Sequence, residues 1–276
     1  MATPAVQTPQ TPQAAPNGVL SSISKPHDRP VIITLCGDSG MGKTSLAALF
    51  PKPIFIRAED GMQAIPAERR PDAFPLLTST ETLWEQMMAL IKEKHDYKTL
   101  VIDSITALER MFIAQIIEED PKKPRSINQA MGGYGAGLSA VAGLHQRVRK
   151  AAGVLNERVK MHIVFIAHAD TETIELPDQD PYTRYGLRLG KKSVAPYVDD
   201  SDVVGFIKLQ TFTRGEGERK QAVSTGARLL VTYATANNIS KNRYGITSDL
   251  PMEEGVNPLV EYIPSLQDQK GAVKNG

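Results

Sequence analysis

The chain has 276 residues, 41% hydrophobic and 23% charged, with a formal net charge of +1. This composition excludes a chain disordered throughout, and the near-neutral balance gives no global argument for nucleic acid, so any such contact must come from local basic patches. One cysteine, Cys36, excludes an internal disulfide framework and fits a reducing compartment, and no apolar run approaches the ~20 residues that cross a bilayer.

The first 24 residues, "MATPAVQTPQTPQAAPNGVLSSIS", carry no charged side chain and are rich in Pro, Thr, Gln and Ala. Such a segment buries too little apolar surface to offset the entropy of ordering. Residues 1–28 therefore read as a disordered tail ahead of a core at 29–264, and residues 265–276 as a second flexible tail. The leader lacks the basic start and apolar centre of a signal peptide. It is either a solvated leader or a docking arm that offers Val19, Leu20 and Ile23 to a partner or neighbouring subunit.

"VIITLCG" (Val31–Gly37) is a continuous apolar run ending in Gly, as expected of a strand buried on both faces of a parallel sheet. "TSLAALF" reads as a helix stopped by "PKP", and Pro53–Ala58 as a second strand. "TETLWEQMMALIKEK" predicts a helix capped by Thr80, with Leu83, Met87, Leu90 and Ile91 on one face and Trp84 in its packing. "TLVID" is a third strand and Ile105–Glu118 a helix. A long loop rich in Pro, Gly and basic residues follows, then a helix over Leu138–Val159. "HIVFIAH" is a fourth strand, and Asp170 to about Lys192 reads as a second irregular stretch. "DVVGFIKLQTF" and "ARLLVTYAT" read as two antiparallel strands that extend one edge, joined by the charged turn "RGEGERKQ". The alternation predicts an α/β fold with a mostly parallel sheet flanked by helices. Its first and third strands are expected side by side.

"GDSGMGKT" (Gly37–Thr44) has the spacing G-x-x-x-x-G-K-[ST], after a strand and before a helix. The backbone N–H groups of Gly37, Asp38, Ser39, Gly40, Met41 and Gly42 can curl into an anion nest that continues through Lys43, Thr44 and Ser45. Lys43 supplies a point charge to the β- and γ-phosphates, and the Thr44 hydroxyl can ligate Mg²⁺. Asp103, ending the third strand, is the natural partner of that Mg²⁺, in direct contact or through a water. Its neighbour is Ser104, where many nucleotide hydrolases carry a Glu that activates water. The acid must then come from elsewhere. "IFIRAEDG" places Glu59 and Asp60 just past the second strand, and by spacing alone Glu59 is either a base or a solvated turn acid.

Taken in order, "GDSGMGKT", "IFIRAED", "TLVIDSITAL" and "VFIAH" resemble the RecA-type ATPase core. The resemblance covers Pro30 to Ile263. It is nearest to small phage-encoded RecA-like ATPases that include the Sak-type single-strand annealing recombinases, through "MGGYGAG" and "SKNRYGI". It implies a P-loop core, ATP as the nucleotide, Glu59 as the water-activating acid with Asp60 as the fallback, and a γ-phosphate sensor at His168. That sensor is usually Gln in the family, so His168 is a departure; it is otherwise a capped strand-end histidine.

The resemblance also implies single-stranded DNA held by two loops. The first offers Lys122, Lys123, Arg125, Asn128, Gln129 and Tyr134; the second offers Tyr182, Arg184, Tyr185, Arg188, Lys191 and Lys192. Composition alone points to two solvated loops, and Arg147, Arg149 and Lys150 read as a wet helix face. By likeness to hexameric helicases, Lys241 and Arg243 are fingers reaching a neighbour's γ-phosphate, with Lys191 and Lys192 as rivals. The expected protein is thus a DNA-stimulated ATPase of phage recombination or annealing. It would act in the host cytoplasm without membrane contact, assembled as a ring or filament, with a single-strand DNA-binding protein as a further partner. A nucleotide-switched oligomerising module with little turnover, or a helicase-like motor, are the alternatives. A small-molecule kinase fits less well, because the segment after His168 lacks the clustered Arg of a lid.

Overall fold

Residues 31–37 are buried without a break and form β1 (Ile32–Gly37), the strand that delivers the phosphate loop. In the computed structural model, which describes residues 19–214 and 221–267, that loop opens α1 (Lys43–Ala47). Then come β2 (Pro53–Arg57), β3 (Asp72–Ala73), α2 (Thr80–Lys92), β4 (Thr99–Asp103), α3 (Ile105–Glu119) and α4 (Ala136–Val154). They lead to β5 (His162–Leu176), β6 (Gln179–Leu187), α5 (Lys191–Val198), β7 (Val203–Arg214), β8 (Gln221–Val231), β9 (Lys241–Asn242), β10 (Leu250–Pro251) and α6 (Pro264–Gln267).

The sheet runs β10–β8–β7–β1–β5–β4–β2–β3, with β6 paired to β5 and β9 to β7. Every pairing from β7 across to β3 is parallel, and β8 and β10 form an antiparallel edge. This is the α/β class expected, a mostly parallel sheet flanked by helices with an antiparallel edge. Strand alternation sorts the core into two layers. Ile32, Leu100, Ile102, Ile163 and Phe165 face Leu83, Phe112 and Val148 of α2, α3 and α4. Ile33, Leu35, Val101, Val164 and Ile166 face Leu46, Phe50, Leu259 and Leu266 on the other side. Full burial of each such side chain contributes about 1.5–3 kcal/mol, and α1 depends on it. A helix of five residues is marginal by itself, and Leu46 and Ala47 dock it on the sheet.

Several expectations are corrected. The first and third predicted strands, β1 and β4, are not neighbours: β5 lies between them and pairs with both. This puts the end of β5, with His168 opposite Gly37, between the ends of β1 and β4. Asp170 to Lys192 is not irregular. β5 continues to Leu176 and turns back as β6, in antiparallel register from Ala169↔Leu187 outward, and α5 follows. β7 pairs parallel with β1 and so belongs to the parallel core, leaving β8 as the antiparallel strand. Ser79, not Thr80, caps α2, its hydroxyl accepting from Thr82 N. Arg147 lies over the Trp84 ring at 4.6 Å, and Arg149 donates to Asp200 O at 2.9 Å, so part of the supposed wet face of α4 is engaged.

Val19, Leu20 and Ile23 are exposed, while residues 1–18 of the expected leader lie outside the described residues. Leu266 of α6 is buried, and residues 268–276 of the expected C-terminal tail, like 215–220 of the charged turn, lie outside the described residues too.

Candidate nucleotide site

The phosphate loop lies at the C-terminal edge of the parallel sheet. Gly42 closes it in the left-handed region, at φ 86°, a conformation that favours glycine. Lys43 is buried, and its ammonium donates to Gly37 O and Asp38 O, both at 2.8 Å, so the loop folds around it. Burial pulls the Lys43 ammonium below its ordinary range, while the charges of Asp103 and Glu59 work the other way.

Asp103 ends β4 and is 3% exposed. Thr44 Oγ1 donates to its Oδ2 at 2.8 Å. Burial raises the Asp103 carboxyl from 3.8 to about 6, against the Thr44 hydrogen bond and the Lys43 charge. Gly61 completes this corner. A Cβ there would lie 3.1 Å from Asp103 Oδ2 and 3.2 Å from Thr44 Oγ1, so only glycine leaves the pair open. One hydroxyl and one carboxylate facing a phosphate cradle fit Mg²⁺, which is bound by one or two carboxylates together with substrate phosphates. Among the described residues no cluster of three or more His, Cys, Asp or Glu gathers to hold a metal without such help.

Ser104 has a structural task. Its hydroxyl accepts from Ala107 N at 3.1 Å and caps α3. Glu59 follows β2, its backbone and that of Ala58 donating to Asp103 O. Its side chain meets His168, at the point where β5 leaves the core, with Nε2 to Oε1 at 2.8 Å. An ionised carboxylate only accepts, so His168 donates from Nε2, and Nδ1 is left facing the Ser39 hydroxyl at 3.4 Å. Arg110 of α3 reaches the other Glu59 oxygen at 3.5 Å. The His168 hydrogen bond chiefly holds the Glu59 carboxyl below its ordinary range, outweighing the opposing cost of burial. Asp60, next in the chain, pairs with Arg57 at 3.4 Å. Thus Lys43, Thr44, Glu59, Asp103 and His168 are brought together; Asp60 lines the same cavity but is paired with Arg57.

Sequence reading missed three side chains here: Arg110, Thr106, whose hydroxyl accepts from His168 N at 3.0 Å, and Arg228 of β8. The first two sit on the helix that Ser104 caps, Thr106 in its first turn and Arg110 in its second, and that spacing was readable. Arg228 carried no local signal. Arg228 lines, with Lys43, Thr44, Glu59, Asp103 and His168, a cavity of about 820 Å³ that continues past Leu49, Ile65, Pro66, Met252 and Val256.

The loop residues expected at DNA divide. Tyr134 is fully exposed, and Lys122, Lys123 and Arg125 lie exposed on the same loop. Asp120 shapes that loop by accepting from Lys122 N at 2.9 Å and Met131 N at 2.6 Å. Lys192 joins the two stretches, donating to Ser139 Oγ at 2.8 Å near Gly135, with exposed Lys191 beside it. Arg188 is exposed, and its backbone N–H donates to His168 O at 2.8 Å. By contrast, Tyr185 stacks on Phe206 at 4.9 Å and Arg184 pairs with Glu172 at 2.8 Å. Tyr182 lies half-buried on the β6 arm.

Lys241 and Arg243 are remote from Lys43 within one chain. β9 pairs with β7 at Val203 and Val204, the end of the sheet opposite Gly37. Lys241 donates to Asp199 O at 2.7 Å, and Arg243 lies 3.5 Å from Asp202. Asn242 between them fixes the turn, donating to Thr232 O and Ile246 O and accepting from Tyr244 N and Ile246 N.

A family model described as "AAA domain" matches residues 29–244. The SPbeta prophage-derived uncharacterized protein YorG of Bacillus subtilis (strain 168) is 24% identical over 206 residues, covering 73% of this chain and 56% of that protein. The chain therefore spans just over half the length of this relative. A solved RadB recombinase superposes with a TM-score of 0.46 at 14% identity, over 83% of this chain and 90% of its own. Among the described residues no helix is long and apolar enough to cross a membrane.

Proposed function

The chain belongs to the AAA domain family, a family of P-loop nucleotide hydrolases, over residues 29–244, and on that premise we propose that it hydrolyses ATP in response to single-stranded DNA, within phage-type recombination or annealing. The observation that carries the catalytic half is the Glu59 carboxylate beside the Thr44–Asp103 pair, held from two sides by His168 and Arg110.

Each group has a role set by its chemistry. Lys43 and the loop amides bind the β- and γ-phosphates. Thr44 and Asp103 would hold Mg²⁺, whose charge would offset that of the phosphates. Glu59 accepts a hydrogen bond from the attacking water and orients it. A carboxyl held below its ordinary range is a weak base, so the His168 bond restrains it. When His168 turns its N–H to a γ-phosphate oxygen, that restraint goes and Glu59 gains basicity. The cavity beyond the loop, with Leu49, Ile65, Pro66 and Met252, suits a flat apolar base.

Support for DNA is the pairing of exposed Tyr134 with Lys122, Lys123 and Arg125 on one loop, and the junction of that loop with Lys191 and Lys192. Cations track phosphates, and an exposed ring can stack on a base. A prophage-derived relative supports the phage setting. Lys241 and Arg243, at the far end of the sheet, are the proposed fingers on a neighbour's nucleotide in a ring or filament. A single-strand DNA-binding protein is a proposed further partner. The Glu59–His168 bond also favours a second reading, a nucleotide-driven switch with slow turnover.

The test is ATP turnover with and without single-stranded DNA, alongside size measurement with a slowly hydrolysed ATP analogue. Turnover that rises with DNA supports the ATPase. Analogue-driven assembly with little turnover supports the switch. Neither hydrolysis nor assembly overturns both.

A further inference from the structure

We propose that Arg228 is a second cation of the nucleotide site, binding the phosphate chain from the antiparallel edge of the sheet; this rests on the reading of the site as one for a nucleoside polyphosphate. A Cβ built on Gly42 would lie 2.4 Å from Arg228 Nη1 and 3.4 Å from its Cζ. The guanidinium therefore occupies the space that any other residue at Gly42 would fill, directly against the phosphate loop. Gly42 answers two demands at once: a left-handed backbone and room for a cation from β8.

The placement is fixed by the sheet. Arg228 pairs in register with Leu209 of β7, and its carbonyl accepts from Met252 N at 2.9 Å. The side chain lines the same cavity as Lys43, Thr44 and Ser45. It is half-buried, and among the described residues no carboxylate makes an ion pair with it, although Glu253 and Glu254 line the same cavity and Glu254 pairs with Arg69 instead. A half-buried guanidinium without a protein counter-ion, against an anion-binding loop, is matched by phosphate oxygens, which its planar fork binds in pairs. Lys43 alone sets one charge against a polyphosphate; Arg228 adds the second.

The experiment compares binding of ATP, ADP and adenosine to the wild-type protein, Arg228→Ala and Arg228→Lys, at low and moderate salt, with thermal melting of each. The expected result is a loss of roughly tenfold or more in ATP and ADP affinity for Arg228→Ala, the scale of one charge-assisted hydrogen bond. Adenosine binding should be unchanged, and Arg228→Lys should recover part of the loss. The effect should shrink as salt rises. If Arg228→Ala melts like wild type and binds ATP and ADP equally well, Arg228 is not a ligand residue and the inference fails alone. Equal losses for adenosine and ATP would make Arg228 a prop for the loop and also overturn it. Failure of the wild-type protein to bind any of the phosphorylated ligands would overturn both the inference and the nucleotide reading beneath it.

Discussion

Glu59 Oε1 accepts from His168 Nε2 at 2.8 Å, tying the end of β2 to the point where β5 leaves the core, although 109 residues separate them. The contact exists because β4 is the strand between β2 and β5. Its last residue, Asp103, and the cap that follows, Ser104, leave space above β4 that Glu59 and His168 fill from either side. A Glu at position 104 would have to replace the hydroxyl that caps α3. The acid supplied from β2 thus goes with the serine after Asp103.

Asp103 carries a cost that should be measurable. Burial raises its carboxyl from 3.8 to about 6. Between those values the folded chain keeps a proton that the unfolded chain releases, so this group's contribution falls as pH rises through the window. Asp103→Asn should therefore stabilise the ligand-free protein above pH 6 by up to about 3 kcal/mol, from a shift near two units at ~1.4 kcal/mol each. The gap should close below pH 4 or so, where both forms are neutral, while Mg²⁺-dependent nucleotide affinity is lost. Denaturant melts at several pH values check this; a gap independent of pH contradicts it.

Gly61→Ala tests the cation corner without touching a ligand. The backbone of Gly61 is helical, at φ −87°, so alanine is tolerated there. Its methyl, however, would press on Asp103 Oδ2 and Thr44 Oγ1. The expected outcome is a melting temperature at or above wild type together with weaker binding of ATP in the presence of Mg²⁺, and a much smaller change in EDTA. Calorimetric titration in both buffers reads the difference.

Two tyrosines from the candidate DNA loops should behave differently. Tyr134 is fully exposed and held in the left-handed region at φ 51°, whereas Tyr185 is stacked on Phe206. Tyr134→Ala should lower single-stranded DNA affinity by about 1–3 kcal/mol, the value of one base stack, with little change in stability. Tyr185→Ala should lower stability instead. Fluorescence anisotropy with a labelled oligonucleotide and a thermal melt separate them.

The proposed fingers can be tested by mixing. Lys43→Ala should lack nucleotide binding, and Arg243→Ala should lack the cation offered to a neighbour; each alone should turn over poorly. If Arg243 acts in trans, mixed assemblies place an intact nucleotide site beside an intact finger and regain activity. Mixtures no more active than either variant would show that Arg243 serves its own chain, where it lies beside Asp202.

How far the sequence revealed this arrangement depends on the range of each contact. The phosphate loop is eight consecutive residues with a fixed spacing, so it was legible in full. Glu59 became legible through the order of strand-ending motifs, not through any local pattern. Arg228 was invisible because its partner Gly42 lies in another part of the chain and only the β7–β8 register joins them. The β5–β6 hairpin was missed for a different reason. Beyond Ala169 both strands leave the core, most side chains are solvated, and the apolar alternation that marks a strand is lost.

The central claim is that Glu59 aims the attacking water and Asp60 does not. The direct measurement is single-turnover ATP hydrolysis by Glu59→Gln and Asp60→Asn, with ATP affinity measured in parallel. The account predicts that Glu59→Gln still binds ATP but loses roughly 10²–10⁴-fold in rate, the usual scale for a positioned acid–base group, while Asp60→Asn stays near wild type. Undiminished hydrolysis by Glu59→Gln, or a collapse confined to Asp60→Asn, would contradict it.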